Sequence, residues 1–391
     1  MFFATRTFFR LANTSLLQRK GLPSAHRRDL LFCLLFFTLF PLVELLNAIC
    51  FLLDEILFPD HRSVGIPQPI FVIGNPRSGT TILHRVLARD QQRFFCFRMW
   101  EIIFPSILQK KIVSSIGKFD RLTGSHLRQF MLRWEAKRFQ KLRPAHKMGL
   151  LLPEEDDKLL AHILAAADLA FFFPYGGFEK LARFDVAVDL KEQRRIMDFY
   201  LQCVRRQAYF KGGRRTLLSK TPYSSGKVQN LLRCFPDCKI IYLVRNPLQV
   251  VPSAISVARV IIRSAFGTEP QADLDEHIYE ALKFYYSYPL QRLARLPEDR
   301  FVVVNYEDLI RQPRQVVERI YERFGLPLKP DYKQLLDQEV ASMRQYKSRH
   351  RYSLDQCSVT RERIVSDLGP IFERFEFDVG QMFAANCSCR P

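Results

Sequence analysis

The 391 residues carry 59 Lys and Arg against 40 Asp and Glu, a formal charge of +19, with 48% hydrophobic and 25% charged residues. This is a globular composition with chain enough for one large or two ordinary domains, and a mean hydropathy of −0.10 excludes a multi-span transporter. The basic excess favours an anionic partner, whether nucleotide, acidic lipid surface or sulfated glycan, while no basic stripe interleaved with aromatics argues for nucleic acid. Nine cysteines, an odd number, form neither a disulfide framework nor a paired CxxC zinc pattern, so free buried thiols are expected.

Residues 1–28 hold six basic and no acidic side chains, and the stretch after Asp29, Leu30 to Leu53, is apolar over 24 residues. That length suits a membrane helix within residues 29–60, and no small-residue cleavage site marks it as a signal peptide. Its halves differ. Leu30 to Phe40 is nearly pure hydrocarbon but only about 16 Å of helix, too short to span. Beyond Pro41, the polar residues Glu44, Asn47, Asp54 and Glu55 fall near one face, with Leu42, Leu45, Leu46, Ile49 and Leu52 on the remainder. Two membrane arrangements follow: a single type II span with its basic flank in the cytoplasm, or a kinked monotopic helix lying in the interface with a cytoplasmic domain. A core helix capping the domain would share the composition.

The globular part is expected from residue 67 to 391. Ile70 to Ile73, closed by Gly74, reads as a buried parallel strand, and Ile82, Leu83, Val86 and Leu87 recur at helical spacing after Gly79. Between them lies a phosphate cradle in outline: backbone N–H groups, the Ser78, Thr80 and Thr81 hydroxyls and the Arg77 guanidinium can converge on one anion. The spacing nearly fits a Walker A loop, but Thr80 stands where the lysine belongs, so a nucleotide other than ATP or GTP is favoured.

Residues 101–213 read as largely helical, an acceptor-side insertion. Glu101, beside Trp100 and an apolar run, suits either a base of raised pKa or an ordinary helix-start acid. Pro153 followed by Glu154, Glu155, Asp156 and Asp157 reads first as a helix start; the alternative places one of these acids on the acceptor. Ala170 to Phe178 suits an apolar acceptor pocket or core packing.

Strand grammar then returns. Thr216 to Ser219 leads to Lys220 and a helix over about 224–234. Lys239 to Val244 leads to Arg245 and a helix through about Ile262, and Phe301 to Asn305 leads to a helix over about 313–324. The polar clusters sit at strand C-terminal ends, where open α/β sheets bind ligands.

PRSGTT between strand and helix, LSKTPYS, LVRNPLQVVPSAIS and VVNYEDL stand in an order that resembles the sulfotransferases that use 3'-phosphoadenylyl sulfate (PAPS). The likeness is to the divergent, bacterial-type branch related to the tyrosylprotein sulfotransferases, in which PEED-like acidic runs also occur. It implies an α/β fold with a P-loop-like parallel sheet flanked by helices. Arg77, Ser78, Gly79, Thr80 and Thr81 would hold the 5'-phosphate, Arg245 and Ser253 the 3'-phosphate, and Lys220 would reach the bridging oxygen. The same resemblance makes Glu101 the base, with His84 as runner-up, and a basic loop over residues 348–356 a cover for the nucleotide. No metal is needed and no metal-ligand cluster is visible in the sequence.

The acceptor is a hydroxyl or amine, with a small molecule, lipid or glycan all open, and the hydrophobic helix makes a membrane partner expected. Two rival readings stay open: a P-loop nucleotide or small-molecule kinase, and a membrane-attached nucleotide-binding protein without chemistry.

Overall fold

A computed structural model describes residues 4–16, 27–138, 149–266, 273–345, 354 and 357–380. At its centre is a five-stranded parallel sheet of β1 (Ile70–Gly74), β2 (Phe94–Phe95), β3 (Thr216–Lys220), β4 (Lys239–Val244) and β5 (Phe301–Asn305), ordered β2-β3-β1-β4-β5. Every strand of the sequence reading is present, with β3 one residue longer than expected. β2 has only two residues, too few to carry a periodic signal.

β1 lies between β3 and β4, with Ile70 opposite Leu218 on one side and Lys239 on the other. Buried on both faces, it reads as an unbroken apolar run. Alternation divides the core into two layers: Phe71, Ile73, Tyr242 and Val244 face one side, and Ile70, Val72, Ile241 and Leu243 the other. The chain leaves β1 for β2 and β3 on one side and later fills β4 and β5 on the other, so the crevice at the C-terminal end of β1 is the topological switch point.

The first six helices in chain order are α1 (Thr5–Leu16), α2 (Arg27–Leu57), α3 (Thr80–Leu87), α4 (Met99–Ile103), α5 (Ile107–Leu122) and α6 (His126–Arg138). The helix expected from residue 224 begins later, at Val228, after a 3-10 turn over Pro222–Gly226. A Cβ on Gly226 would stand 2.0 Å from the Ala182 carbonyl oxygen, so this backbone passes too close to its neighbour for any other residue.

α2 is long and apolar enough to cross a membrane by length and composition, yet only 11% of its most apolar window is buried. Its polar side meets the domain. Asp54, fully buried, accepts hydrogen bonds from the backbone N–H groups of Ile107 and Leu108 at 2.9 Å and from the Ser106 hydroxyl at 2.9 Å, capping α5. Arg206 donates to the same carboxylate at 3.2 Å and also pairs with Glu55. Asn47 accepts from Gln109 at 2.8 Å, and His162 is 2.7 Å from Glu44. The leucines point outward, with Leu52 67% and Ile56 73% exposed, the reverse of a core helix.

The aromatic run over residues 170–178 seats these N-terminal helices. Phe173 is fully buried, with its ring 5.0 Å from Phe36 of α2; Phe172 stacks on Phe32, and Arg10 of α1 donates to the Gly176 carbonyl at 3.0 Å. It serves packing between α1, α2 and the domain.

Candidate active site

Gly74 ends β1 at φ 146°, where a Cβ would lie 2.4 Å from the Leu243 carbonyl oxygen. The following loop locks itself: the Ser78 hydroxyl donates to the Asn75 carbonyl at 2.6 Å and the Ser78 N–H donates to the same oxygen at 3.1 Å. Arg77 sits in the left-handed region at φ 70°, a strained placement for a side chain of its size, and Gly79 at φ 92° opens α3. A Cβ on Gly79 would meet the Tyr306 ring at 2.7 Å. A tight turn that leads with glycine into a helix N-terminus is what a phosphate loop requires.

The loop and the Arg245 segment, 168 residues apart in sequence, meet directly. Arg77 Nε donates to the Ser253 hydroxyl at 3.0 Å, and Arg245 Nη1 donates to the Arg77 carbonyl at 2.9 Å. The Arg245 guanidinium lies 4.0 Å over the Tyr306 ring, and its Nε donates to Gln249 at 3.0 Å. Tyr306, from the VVNYEDL segment, therefore packs against both halves of the cradle. The Asn75 carboxamide and the Thr221 hydroxyl are buried here with no hydrogen-bond partner among the described residues, as expected of groups completed by a ligand.

Lys220 ends β3 beside β1. Only 2% exposed, it donates from Nζ to the Thr81 hydroxyl at 3.2 Å and to Glu155 at 2.7 Å. Glu155 belongs to the acidic run, which does not form a solvated first turn. Glu154, Asp156 and Asp157 are buried and Glu155 partly so: Asp156 accepts from the Tyr200 hydroxyl at 2.7 Å and from the Ser219 hydroxyl at 2.8 Å, Asp157 pairs with Lys227, and Glu154 with Lys158. The run thus closes over the end of β3. Burial alone would push the Glu155 carboxyl up, but the Lys158 and Lys220 ammonium groups outweigh it and hold the pKa down at about 2. Asp156 goes the other way, pushed up to about 6 by burial.

Glu101 does not join this cluster. It is fully buried as the third residue of α4, where one oxygen accepts from the Arg98 N–H at 2.8 Å and from Gln207 at 2.9 Å, and the other holds Lys211. Those partners make it a helix cap and a tether to the helix Leu190–Phe210, the second of the two readings its sequence context allowed. The basic stretch over residues 348–356 lies, apart from Leu354, outside the described residues.

His84 faces the Leu218 carbonyl at 3.3 Å inside the core. Burial, with the Lys220 charge adding to it, drives its pKa down to about 3, so the ring is neutral and unsuited to act as a base near neutral pH. An unfolded chain protonates this histidine near pH 6.5 and the folded chain does not, so stability falls as pH drops from about 6.5 towards 3. Chemical denaturation at pH 7 and pH 5 should show a loss of about 2 kcal/mol that disappears in His84→Gln. An unchanged slope in that variant would mean the imidazole is not held neutral.

A phosphate loop at the switch point of a parallel sheet, with a lysine and an arginine at neighbouring strand ends, defines a P-loop-like group transferase. Residues 69–330 match the Sulfotransferase family, and the chain belongs to that family. It is a sulfotransferase enzyme of the PAPS-dependent kind, which closes the kinase and non-catalytic readings.

The chain is 25% identical over 358 residues to the omega-hydroxy-beta-dihydromenaquinone-9 sulfotransferase Stf3 of Mycobacterium bovis, covering 88% of this chain and 84% of that protein; Stf3 of Mycobacterium tuberculosis matches equally. The crystal structure of sulfotransferase STF9 from Mycobacterium avium shares the fold at a TM-score of 0.69 and 19% identity, over 97% of this chain and 98% of that one. STF1 from Mycobacterium tuberculosis does so at 0.68 and 20%, over 94% of each chain.

Proposed function

We propose that this enzyme transfers a sulfuryl group from PAPS to a hydroxyl carried by a lipid, with α2 lying along the membrane surface. The observation that carries the chemistry is the contact of Lys220 with both Thr81 of the loop helix and Glu155 of the acidic run. PAPS supplies the sulfuryl group and leaves as adenosine 3',5'-bisphosphate. The loop backbone of Arg77, Ser78, Gly79, Thr80 and Thr81, with the Thr80 and Thr81 hydroxyls, holds its 5'-phosphate, and Arg245 and Ser253 its 3'-phosphate.

In this reading Glu155, in place of Glu101, takes the acceptor hydroxyl's proton as that oxygen attacks sulfur. Lys220 donates to the oxygen from which the sulfuryl group departs. The pairing links the two roles. While Lys220 is held by Glu155 the carboxylate is a weak base, and when Lys220 turns to the leaving oxygen the carboxylate loses a neutralising charge and gains basicity.

Support for a lipid acceptor comes from the placement of α2. The 3-10 helix Asp156–Ile163 begins just after Glu155 and ends near His162, which bonds to Glu44 of α2. At about 2 Å per residue, the proposed base lies roughly 14 Å along the chain from the apolar helix. A relative named for sulfating a menaquinone lipid agrees with this.

The test is a thermal-shift titration of the full chain with adenosine 3',5'-bisphosphate, ADP and ATP–Mg, beside Arg245→Ala, followed by transfer from radiolabelled PAPS into membrane extracts. At 100 times its dissociation constant the bisphosphate should add about 2.7 kcal/mol, an effect lost in the variant. Label should partition into organic solvent. Label confined to water-soluble glycan or protein would overturn the lipid acceptor, and stabilisation by ATP–Mg alone would overturn the donor.

A further inference from the structure

α5 and α6 form a helical hairpin joined by Thr123, Gly124 and Ser125, with Asp120 capping α6 through the Leu127 N–H at 2.8 Å and the Arg128 N–H at 3.0 Å. Each helix carries an apolar stripe at helical spacing: Ile112, Ile116 and Phe119 on α5, and Leu127, Phe130 and Trp134 on α6. Such a stripe ordinarily faces the core. Here both are turned outward, with Phe119 68%, Phe130 65% and Leu122, at the tip, 86% exposed.

The charges are sorted as well. The acids of residues 107–136 are both buried and occupied, Asp120 by the α6 cap and Glu135 by the Leu150 N–H at 3.2 Å. The exposed charged side chains there are Lys111, Lys118, Arg121, Arg128 and Arg133, all basic. The apolar surface is continuous with that of α2: α2 and α5 are packed together, and the Lys111 ammonium lies 4.6 Å over Phe58 at the end of α2.

We infer that the α5–α6 hairpin is a second membrane-insertion element, which seats the enzyme on a bilayer leaflet with anionic headgroups beside α2. Charge complementarity selects this occupant over a second copy of the chain, whose hairpin would present the same five basic groups. The helices, about 24 Å and 20 Å long, are too short to span a bilayer. The polar side of α2 is bonded to the domain, so the whole surface lies on one leaflet. The inference stands apart from the sulfuryl-transfer reading, because its test reads lipid contact alone.

Trp134 is one of two tryptophans, which makes it a local probe in a Trp100→Phe background. The full-length chain, diluted from detergent onto phosphatidylcholine vesicles with or without phosphatidylglycerol, should show Trp134 emission shifted to the blue and quenched by bromine-labelled acyl chains. Lys118→Glu with Arg128→Glu should weaken binding to the anionic vesicles about 10-fold or more, while the thermal midpoint stays unchanged. A protein that floats with vesicles while Trp134 stays unquenched would overturn the inference. So would a concentration-dependent dimer that Phe119→Asp dissolves, which would make this face a subunit interface.

Discussion

Lys220→Ala should lower kcat by about 10²–10³-fold while leaving the affinity for adenosine 3',5'-bisphosphate within a few-fold. The lysine reaches the loop helix at the Thr81 hydroxyl, where the proposed mechanism puts the departing oxygen, and a donor that acts mainly in the transition state contributes to turnover more than to binding. The side chain also neutralises the partly buried Glu155, so its removal carries a stability cost. Denaturation midpoints measured with the kinetics separate the two effects, and Lys220→Met, which keeps the hydrocarbon stem, controls for lost packing. A folded Lys220→Ala enzyme of near-normal kcat would remove the lysine from the leaving oxygen.

The second large effect distinguishes two glutamates. Glu155→Gln should reduce kcat by about 10²–10⁴-fold and flatten the acidic limb of the pH–rate profile, since that limb reports protonation of the base. The limb itself belongs to the complex with PAPS, in which Lys220 no longer holds the carboxylate at its low resting value. Glu101→Gln should instead lower the denaturation midpoint, by about 1–3 kcal/mol, because it disturbs a buried cap and leaves Lys211 without its carboxylate. Turnover per folded enzyme should change little. The reverse pattern, an active Glu155→Gln and an inactive but stable Glu101→Gln, would return the role of base to Glu101.

The sequence offers the acidic run as a possible acceptor contact without singling out Glu155. Glu155 and Lys220 are 65 positions apart, and an ion pair across that distance leaves no local pattern. Its immediate surroundings, a proline followed by acids, do start a helix, a 3-10 helix over Asp156–Ile163, and that local rule says nothing of the tertiary pairing with Lys220. For Glu101 the resemblance rests on its place after the loop, whereas its position three residues after Arg98 is the ordinary spacing of a cap.

The strands were legible because a parallel sheet covered on both faces needs continuous apolar runs, and β1 and β4 have them. The polar face of α2 was legible too, from the spacing of Glu44, Asn47, Asp54 and Glu55. Periodicity cannot say whether such a face meets water or protein, and here it meets protein.

That placement of α2 bears on how the enzyme can be handled. Cutting the chain just before β1 to obtain a detergent-free protein would strip the carboxylate from Arg206, which is 3% exposed, and orphan the N–H groups of Ile107 and Leu108. An uncompensated buried charge alone costs about 3–5 kcal/mol, a large part of the 5–15 kcal/mol that holds a typical domain together. Solubility is better sought on the outer side of the helix, by exchanging Leu45, Leu52 and Ile56 for polar residues and leaving the inward carboxylates untouched. The hydrophobic segment that looks like a detachable leash is, on its other side, part of the enzyme's scaffold.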